Sequence, residues 1–336
     1  MDTKFRFYFL ILLFIGNYTS LSAQDNDEEK RFTTKPIALV FTDIYSGINK
    51  GENPTAIEIQ RAYFGYDIQL QKGFSSKIVV DIGSPDNTSA YSLLKRYAYF
   101  KSAYLQYEQG KVNVKFGIIP MQLFKVQEKN WGRRYIEKSA ADKYKFGTSS
   151  DLGVSLNYKV SKFAEIDLSI SNGEGNAELQ HDNTYKTALG LSLKPYKGLV
   201  LRAYADLLSK SVDQITWVSF IGYQLKDKFS IGVEFDRQYN VKNEANENLS
   251  IFSSTASYTI NSKVQIFGRY DIFRSNILDD EDIPWNISKD GSAIIGGIQY
   301  SPIPEIRMAL NYQDWVPYAG NLENSSYIYL NIEFGL

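Results

Sequence analysis

FSIGVEFD, residues Phe229–Asp236, alternates apolar residues one by one with small or polar ones. Successive side chains of an extended strand point to opposite faces, so this period of two separates an apolar face from a polar one. The stretches 152–159 (LGVSLNYK) and 187–194 (TALGLSLK) repeat the pattern. We therefore expect β-strands with one apolar and one polar face.

Sixteen segments of this kind can be marked along the chain. Most cover roughly 9–12 residues, which suits an oblique membrane crossing, whereas strands of soluble proteins average about 5–6 residues. The fourth segment is imperfect, because Lys101 falls on its expected apolar face. The segments lie approximately at 36–45, 56–71, 76–83, 95–108, 111–118, 150–160, 164–172, 185–195, 199–208, 215–225, 229–239, 249–260, 264–274, 291–301, 306–315 and 326–336.

The connectors between these segments alternate between short and long along the whole chain. Gln109-Gly110 and Asn261-Ser262-Lys263 are short, whereas 119–149 and 275–290 are long and polar. Outer-membrane barrels have tight periplasmic turns and longer extracellular loops, and a β protein can span lipid only as a closed barrel. We predict an all-β fold, a 16-stranded antiparallel transmembrane β-barrel of up-and-down topology with short periplasmic turns and long extracellular loops. A secreted β-sandwich is the alternative, but that fold has no reason to alternate its connectors.

The first residues have the order of a secretory signal peptide. Lys4 and Arg6 precede the apolar run Phe7–Ile15, which is too short to cross a bilayer as a helix. The chain has no cysteine, which excludes disulfides and thiolate metal sites, and its net charge of −1 gives no basic excess for nucleic acid. We predict three segments: a signal peptide at 1–23, a short periplasmic tail at 24–35 and the outer-membrane barrel at 36–336.

Several short stretches are similar to a known family. They are RAYFGY (61–66), LKRYAYF (94–100), KFGI (115–118), FKVQEKNWG (124–132), FG (146–147) and SNGEG (171–175). Together they resemble Bacteroidetes-type outer-membrane porins, which are usually grouped with the phosphate-selective porin O and P family. The resemblance extends over the mature chain and implies a porin-like channel, with phosphate or other anions as candidate preferred solutes.

The connector 119–149 is the longest, and such connectors are usually functional or disordered. It contains seven basic and three acidic residues, a formal charge of +4. One interpretation is a constriction folded into the pore, because rings of Lys or Arg suit anion and phosphate pores. The other is a surface loop that contacts lipopolysaccharide phosphates or another subunit. The candidate constriction or anion-binding residues are Lys125, Lys129, Arg133, Arg134 and Lys138.

Charged residues on the polar faces are candidates for the wall of a lumen. Both signs are present, so opposite charges on neighbouring strands can pair along a wet wall. The candidate pore-lining residues are Arg61, Asp67, Asp81, Lys115, Arg202, Asp206, Glu234, Asp236, Arg269, Asp271, Arg307 and Glu333. In the last segment, the side chains predicted to face lipid are Ile328, Leu330, Ile332 and Phe334, and those predicted to face the lumen are Tyr329, Asn331 and Glu333.

Catalysis and metal binding have little support in the sequence. A base beside a nucleophile would have to use His181, the only histidine, which lies in a polar connector. The acidic run Asp279–Asp282 could bind a divalent cation through oxygen ligands, but a solvated loop tip is the simpler interpretation. We predict no catalytic residue, no metal site and no cofactor.

These observations predict a channel for passive diffusion of small hydrophilic solutes, with a mild preference for anions. Two alternatives stay open, namely a closed barrel with a structural or surface-interaction role and a barrel hydrolase built around His181. The expected partners are outer-membrane lipid and lipopolysaccharide, the barrel-assembly machinery, small hydrophilic solutes or anions, and further copies of the chain in a homotrimer.

Overall fold

The computed structural model describes residues 32–50, 53–83, 97–226 and 228–336. The predicted signal peptide, most of the predicted tail and the connector after the third strand lie outside these residues. Sixteen strands are present: β1 Thr33–Gly47, β2 Thr55–Gln69, β3 Phe74–Gly83, β4 Tyr97–Gln109, β5 Val112–Pro120, β6 Ser150–Lys159, β7 Ala164–Ser171, β8 Lys186–Leu193, β9 Leu199–Leu208, β10 Gln214–Leu225, β11 Phe229–Tyr239, β12 Leu249–Thr259, β13 Val264–Ser275, β14 Gly291–Ile303, β15 Ile306–Pro317 and β16 Ser325–Gly335.

Each strand pairs antiparallel with its neighbours in sequence, and β1 pairs with β16 to close the barrel. The predicted 16-stranded antiparallel up-and-down barrel is therefore confirmed. The strands lie close to the predicted segments, although β1 begins at Thr33 and so takes the last residues of the predicted tail. Short turns join the strands at one end of the barrel and long connectors join them at the other.

The barrel wall is apolar outside and polar inside. In β11, Val233 and Phe235 are exposed on the outer face, whereas Glu234 and Asp236 are buried on the inner face. The predicted alternation in β16 has the same sense, since Ile328 and Phe334 are exposed and Asn331 is buried. An apolar exterior around a polar interior is the pattern of a transmembrane barrel.

Two β-bulges change which residues face inward. In the β1–β2 pair, Phe41 lies opposite Arg61 and Thr42 lies opposite Ile59, so Gln60 is an extra residue. In the β3–β4 pair, Val79 lies opposite Ser102 and Val80 lies opposite Phe100, so Lys101 is the extra residue. A bulge lets two successive side chains turn toward one face. This geometry explains why Lys101 interrupts the apolar pattern, because its amino group lies inside and donates to the Ser149 hydroxyl.

The connector between β5 and β6 contains two short helices, α1 Lys125–Trp131 and α2 Ala140–Lys143. A 3₁₀ turn, Val241–Asn243, follows β11. Among the described residues, no helix is long and apolar enough to cross a membrane.

Candidate functional site

The connector of residues 121–149, called here the inner loop, folds into the barrel. Its helix α1 lies against β10 and β11, where Gly222 and Gly232 are opposite each other. A β-carbon at either glycine would come within 3 Å of the Asn130 side chain. The two glycines therefore make the recess that lets α1 approach the wall. Of the two interpretations of this connector, the structure has the one in which it folds inward.

Apolar side chains fix the inner loop to the wall of β9–β14. Trp131 is buried edge-on against Phe267 of β13, with ring centroids 6.0 Å apart. Tyr144 stacks on Phe273 of the same strand at 4.7 Å, and Phe146 is buried in the same cluster as Tyr144 and Phe273. Burial of aromatic side chains is among the larger contributions to packing. This side of the barrel is a packed core and not an open lumen.

Hydrogen bonds from loop side chains add to this packing. Gln127 Nε2 donates to Glu234 Oε1 at 3.1 Å, and Tyr135 Oη donates to Gln299 Oε1 at 2.9 Å. From the wall, Gln238 Nε2 donates to the carbonyl oxygen of Phe146 at 2.9 Å. The inner loop is thus anchored to β11 and β14 through polar groups as well as apolar ones.

Six of the predicted pore-lining residues lie beneath the inner loop. They face inward as expected, but they are buried between loop and wall instead of lining free space. Arg202 pairs with Asp167, and Arg269 pairs with Asp271 at 2.7 Å. The six are Arg202, Asp206, Glu234, Asp236, Arg269 and Asp271. Sequence periodicity identified their face, but it carried no information about what covers that face.

Free space remains on the opposite side, along β1–β7, β15 and β16. A cavity of 670 Å³, called here the lower cavity, reaches the short-turn end near Glu108 and Lys159. A second cavity of 240 Å³, the upper cavity, lies toward the long-connector end between Asp43 and Gln313. Phe41 and Arg134 contribute to the walls of both cavities. These two side chains mark the boundary between the cavities.

The lower cavity has more cations than anions on its wall, with seven Lys or Arg and four Glu side chains. Every one of these glutamates pairs with a cation of the same wall. The pairs are Lys159–Glu108 at 3.2 Å, Arg134–Glu128 at 2.8 Å, Lys125–Glu165 at 2.6 Å and Arg307–Glu333 at 2.6 Å. Among the described residues, no carboxylate lies within ion-pair distance of the other three lining cations, Lys101, Lys115 and Lys129.

Four of the five predicted constriction residues line a cavity. Lys125, Lys129 and Arg134 line the lower cavity, and Lys138 lines the upper one. Arg133 differs from the expectation, because it is buried against the rings of Trp131 and Phe267 and donates to Gln265 Oε1 at 2.8 Å. It therefore holds the inner loop in place and does not face a cavity.

The other predicted pore-lining residues surround the two cavities. Arg61 contacts Asp81 at 2.5 Å beside the upper cavity, and Asp67 pairs with Lys77 at 3.2 Å near the short-turn end. Lys115 lies in the lower cavity over the ring of Tyr104. Arg307 and Glu333 line the lower cavity too, and Arg307 also donates to the carbonyl oxygen of Gly132 in the inner loop at 2.7 Å.

Sequence reasoning missed Lys101 and Phe41 as residues of the cavity walls. The bulge in β4 brings Lys101 inside, and a break in the apolar alternation was the available signal. Phe41 is apolar yet faces inward, so alternation alone places it on the wrong face. His181 is the base that the hydrolase alternative needs. Among the described residues, its Nδ1 lies 3.7 Å from Glu174 Oε1 and 3.4 Å from the carbonyl oxygen of Leu179, and neither is a nucleophile.

Comparisons with known proteins agree with this architecture. No protein-family model and no curated protein matches the sequence. Among solved structures, the chain is similar to the outer membrane channel DcaP of Acinetobacter baumannii (TM-score 0.65, 11% identity, 92% of this chain and 98% of that chain covered). It is also similar to Salmonella typhi OmpF in complex with daunomycin (0.69, 8%, 90% and 97%) and to Pseudomonas putida OprB (0.69, 8%, 90% and 94%). The chain therefore has the fold of outer-membrane porins.

Proposed function

We propose that this chain is an outer-membrane channel for passive diffusion of small hydrophilic solutes, with a preference for anions that includes phosphate. The solute path runs along the β1–β7 and β15–β16 side of the barrel, through the upper cavity, past Phe41 and Arg134, and into the lower cavity. The short turns lie in the periplasm and the long connectors outside the cell, after export through the signal peptide 1–23 and insertion by the barrel-assembly machinery. Homotrimers in lipid and lipopolysaccharide are the proposed assembly.

The anion preference is supported by the charge on the wall of the lower cavity. All four of its glutamates are paired, so the ammonium groups of Lys101, Lys115 and Lys129 leave an uncompensated positive charge. Charges near a narrow aqueous path act with little screening, because the Debye length at physiological salt is about 8 Å. Rows of Lys or Arg along a pore favour anions. Phosphate fits this chemistry, since ammonium groups bind it as point charges.

The reversal potential of the purified protein in planar bilayers, measured across a KCl gradient, tests this proposal. We expect anion selectivity, and Lys115→Glu with Lys129→Glu should shift the reversal potential toward cations, most strongly in dilute salt. Lys289→Glu makes one such Lys-to-Glu substitution at an exposed position in an outer connector and serves as the control. Cation selectivity of the natural protein, or no shift in the double variant, would contradict the anion preference while leaving the channel itself standing.

A further inference from the structure

A group of three possible metal ligands lies in the long connector between β7 and β8. The carboxylates of Glu174 and Asp182 and the imidazole of His181 bring their ligand atoms within 4.8 Å of one another. Glu174 lies near the start of this connector, which covers residues 172–185, and His181 and Asp182 lie in its second half. None of these three residues lies in a β-strand or on the wall of either cavity of the proposed solute path.

The Glu174 side chain is buried, and one of its carboxylate oxygens has no hydrogen-bond partner among the described residues. It is only 8% exposed, and its Oε1 lies 3.7 Å from His181 Nδ1. Its other oxygen, Oε2, is buried with no hydrogen-bond partner among the described residues. A carboxylate held away from water without a partner is costly, and such groups commonly pair with a cation or coordinate a metal.

The backbone around Glu174 is fixed before any ligand arrives. The amide groups of Gly173 and Gly175 both donate to the Asp151 carboxylate, at 2.6 and 3.2 Å. Both glycines have φ near +100°, a conformation that residues with a side chain rarely adopt. Glu174 is therefore held in a defined position by its two neighbours.

Hydrogen-bond donors hold the Asp182 carboxylate in position. The Thr184 amide and hydroxyl both donate to Asp182 Oδ1, at 2.9 and 2.5 Å. Lys210 Nζ lies 2.7 Å from Asp182 Oδ2. An arriving metal ion must therefore share this carboxylate with the Lys210 ammonium or displace it.

We propose that Glu174, His181 and Asp182 bind a divalent transition-metal ion, with Zn²⁺ as the fitting example. One imidazole nitrogen and two carboxylate oxygens suit zinc and its neighbours, whereas Ca²⁺ and Mg²⁺ take oxygen ligands. Three protein ligands leave a fourth tetrahedral position for water. By joining residue 174 to residues 181 and 182, the ion would link the start of the connector to its second half at the long-connector end of the barrel. This site differs from the absence of metal ligands that the sequence predicted.

Zinc titration of the full protein in detergent, without a histidine tag and against a competing chromophoric chelator, tests the site. We expect one equivalent of bound Zn²⁺ and a loss of at least about tenfold in affinity for His181→Ala and for Glu174→Gln. Glu178→Gln changes another carboxylate of the same connector and should leave the affinity unchanged. His181 is the only histidine, so any imidazole-dependent binding has to come from this position.

The zinc affinity of a variant without Lys210 shows whether these residues form a metal site or only a cluster of ion pairs. Lys210→Met takes away the ammonium that competes for Asp182, so zinc affinity should rise. The variants change a surface connector, and heat-dependent migration in SDS gels shows whether the barrel is folded. Absence of saturable zinc binding, or equal affinity in His181→Ala, would overturn the proposal. Unchanged affinity in Lys210→Met would exclude Asp182 and overturn the three-ligand site.

Discussion

The guanidinium of Arg202 on β9 binds the carboxylate of Asp167 on β7, and to do so it crosses the strand between them. Gly190 of β8 lies directly beneath this ion pair, and a β-carbon there would overlap both Arg202 and Asp167. The same guanidinium donates to the carbonyl oxygen of Gln122 at 3.0 Å, so it also holds the start of the inner loop. A single residue without a side chain thus allows the wall to pair its charges and anchor the loop.

Gly190→Ala should destabilise the barrel. Both side chains above Gly190 are buried, so the added methyl group forces them apart, and overpacking of this kind costs about 1–3 kcal/mol. Gly296→Ala is the matched control, because a β-carbon there meets only one backbone atom at 3.9 Å. The measurement is the free energy of unfolding in urea, in detergent or lipid. Equal losses for the two variants would argue against the crossing ion pair.

The position of α1 can be tested by cross-linking, because the natural chain has no cysteine. Asn130 Nδ2 lies 3.4 Å from Ser230 Oγ on the inner face of β11. Asn130→Cys with Ser230→Cys should therefore react with the short dithiol cross-linker dibromobimane and become fluorescent. Asn130→Cys with Ser254→Cys, which places the second thiol on the outer face of β12, should not. Cross-linking of the control pair alone would place α1 outside the barrel.

The register of β16 predicts a large difference between adjacent positions. Leu330 is on the lipid face, and an arginine near the middle of the bilayer costs about 2–4 kcal/mol there. Tyr329 is on the inner face beside the upper cavity, so Tyr329→Arg should cost much less than Leu330→Arg. Asn331, which also faces inward, is less suitable for this comparison, because it is buried and accepts a hydrogen bond from Asn311 Nδ2 at 2.7 Å. Equal unfolding free energies for the two arginine variants would contradict the register.

The proposed orientation predicts which ends of the strands face the cell exterior. Epitope tags beside Asn246 and beside Asp280, both in long connectors, should bind antibody on intact cells, because exposed polar tips tolerate insertions. A tag at Asn261, in a short turn, should bind antibody only after the outer membrane is opened. Antibody binding at Asn261 on intact cells would invert the orientation.

Strand positions could be predicted because they follow from a local rule. Each apolar residue that faces lipid has polar neighbours facing inward, so every strand carries its own signal. The bulges also change the alternation of apolar and polar residues. In β2 the outward-facing residues are odd-numbered before the bulge (Ile57 and Ile59) and even-numbered after it (Phe64 and Tyr66), because Gln60 is an extra residue.

The inner loop could be predicted only in part. Its length and positive charge marked it as the functional connector, but its packing depends on residues more than a hundred positions away. Arg133 illustrates the difficulty, because its partners Gln265 and Phe267 are on β13 and no local pattern connects them to it. The pairing of the cavity glutamates leaves Lys101, Lys115 and Lys129 as the uncompensated cations. Three of its four pairs join different strands or join the inner loop to a strand, so no local pattern predicts them either.

The single-channel conductance of the natural protein, compared with that of a variant lacking the inner loop, tests the central claim most directly. Pro120 lies opposite Ser150, and the Met121 amide donates to the Ser149 carbonyl oxygen, so a short Gly-Ser turn can replace residues 122–148 without moving either strand. A 16-stranded barrel leaves an aqueous channel unless loops fill it. We predict small discrete conductance steps for the natural protein and steps several-fold larger for the variant. Equal steps, or no conductance in either protein, would contradict a channel narrowed by the inner loop.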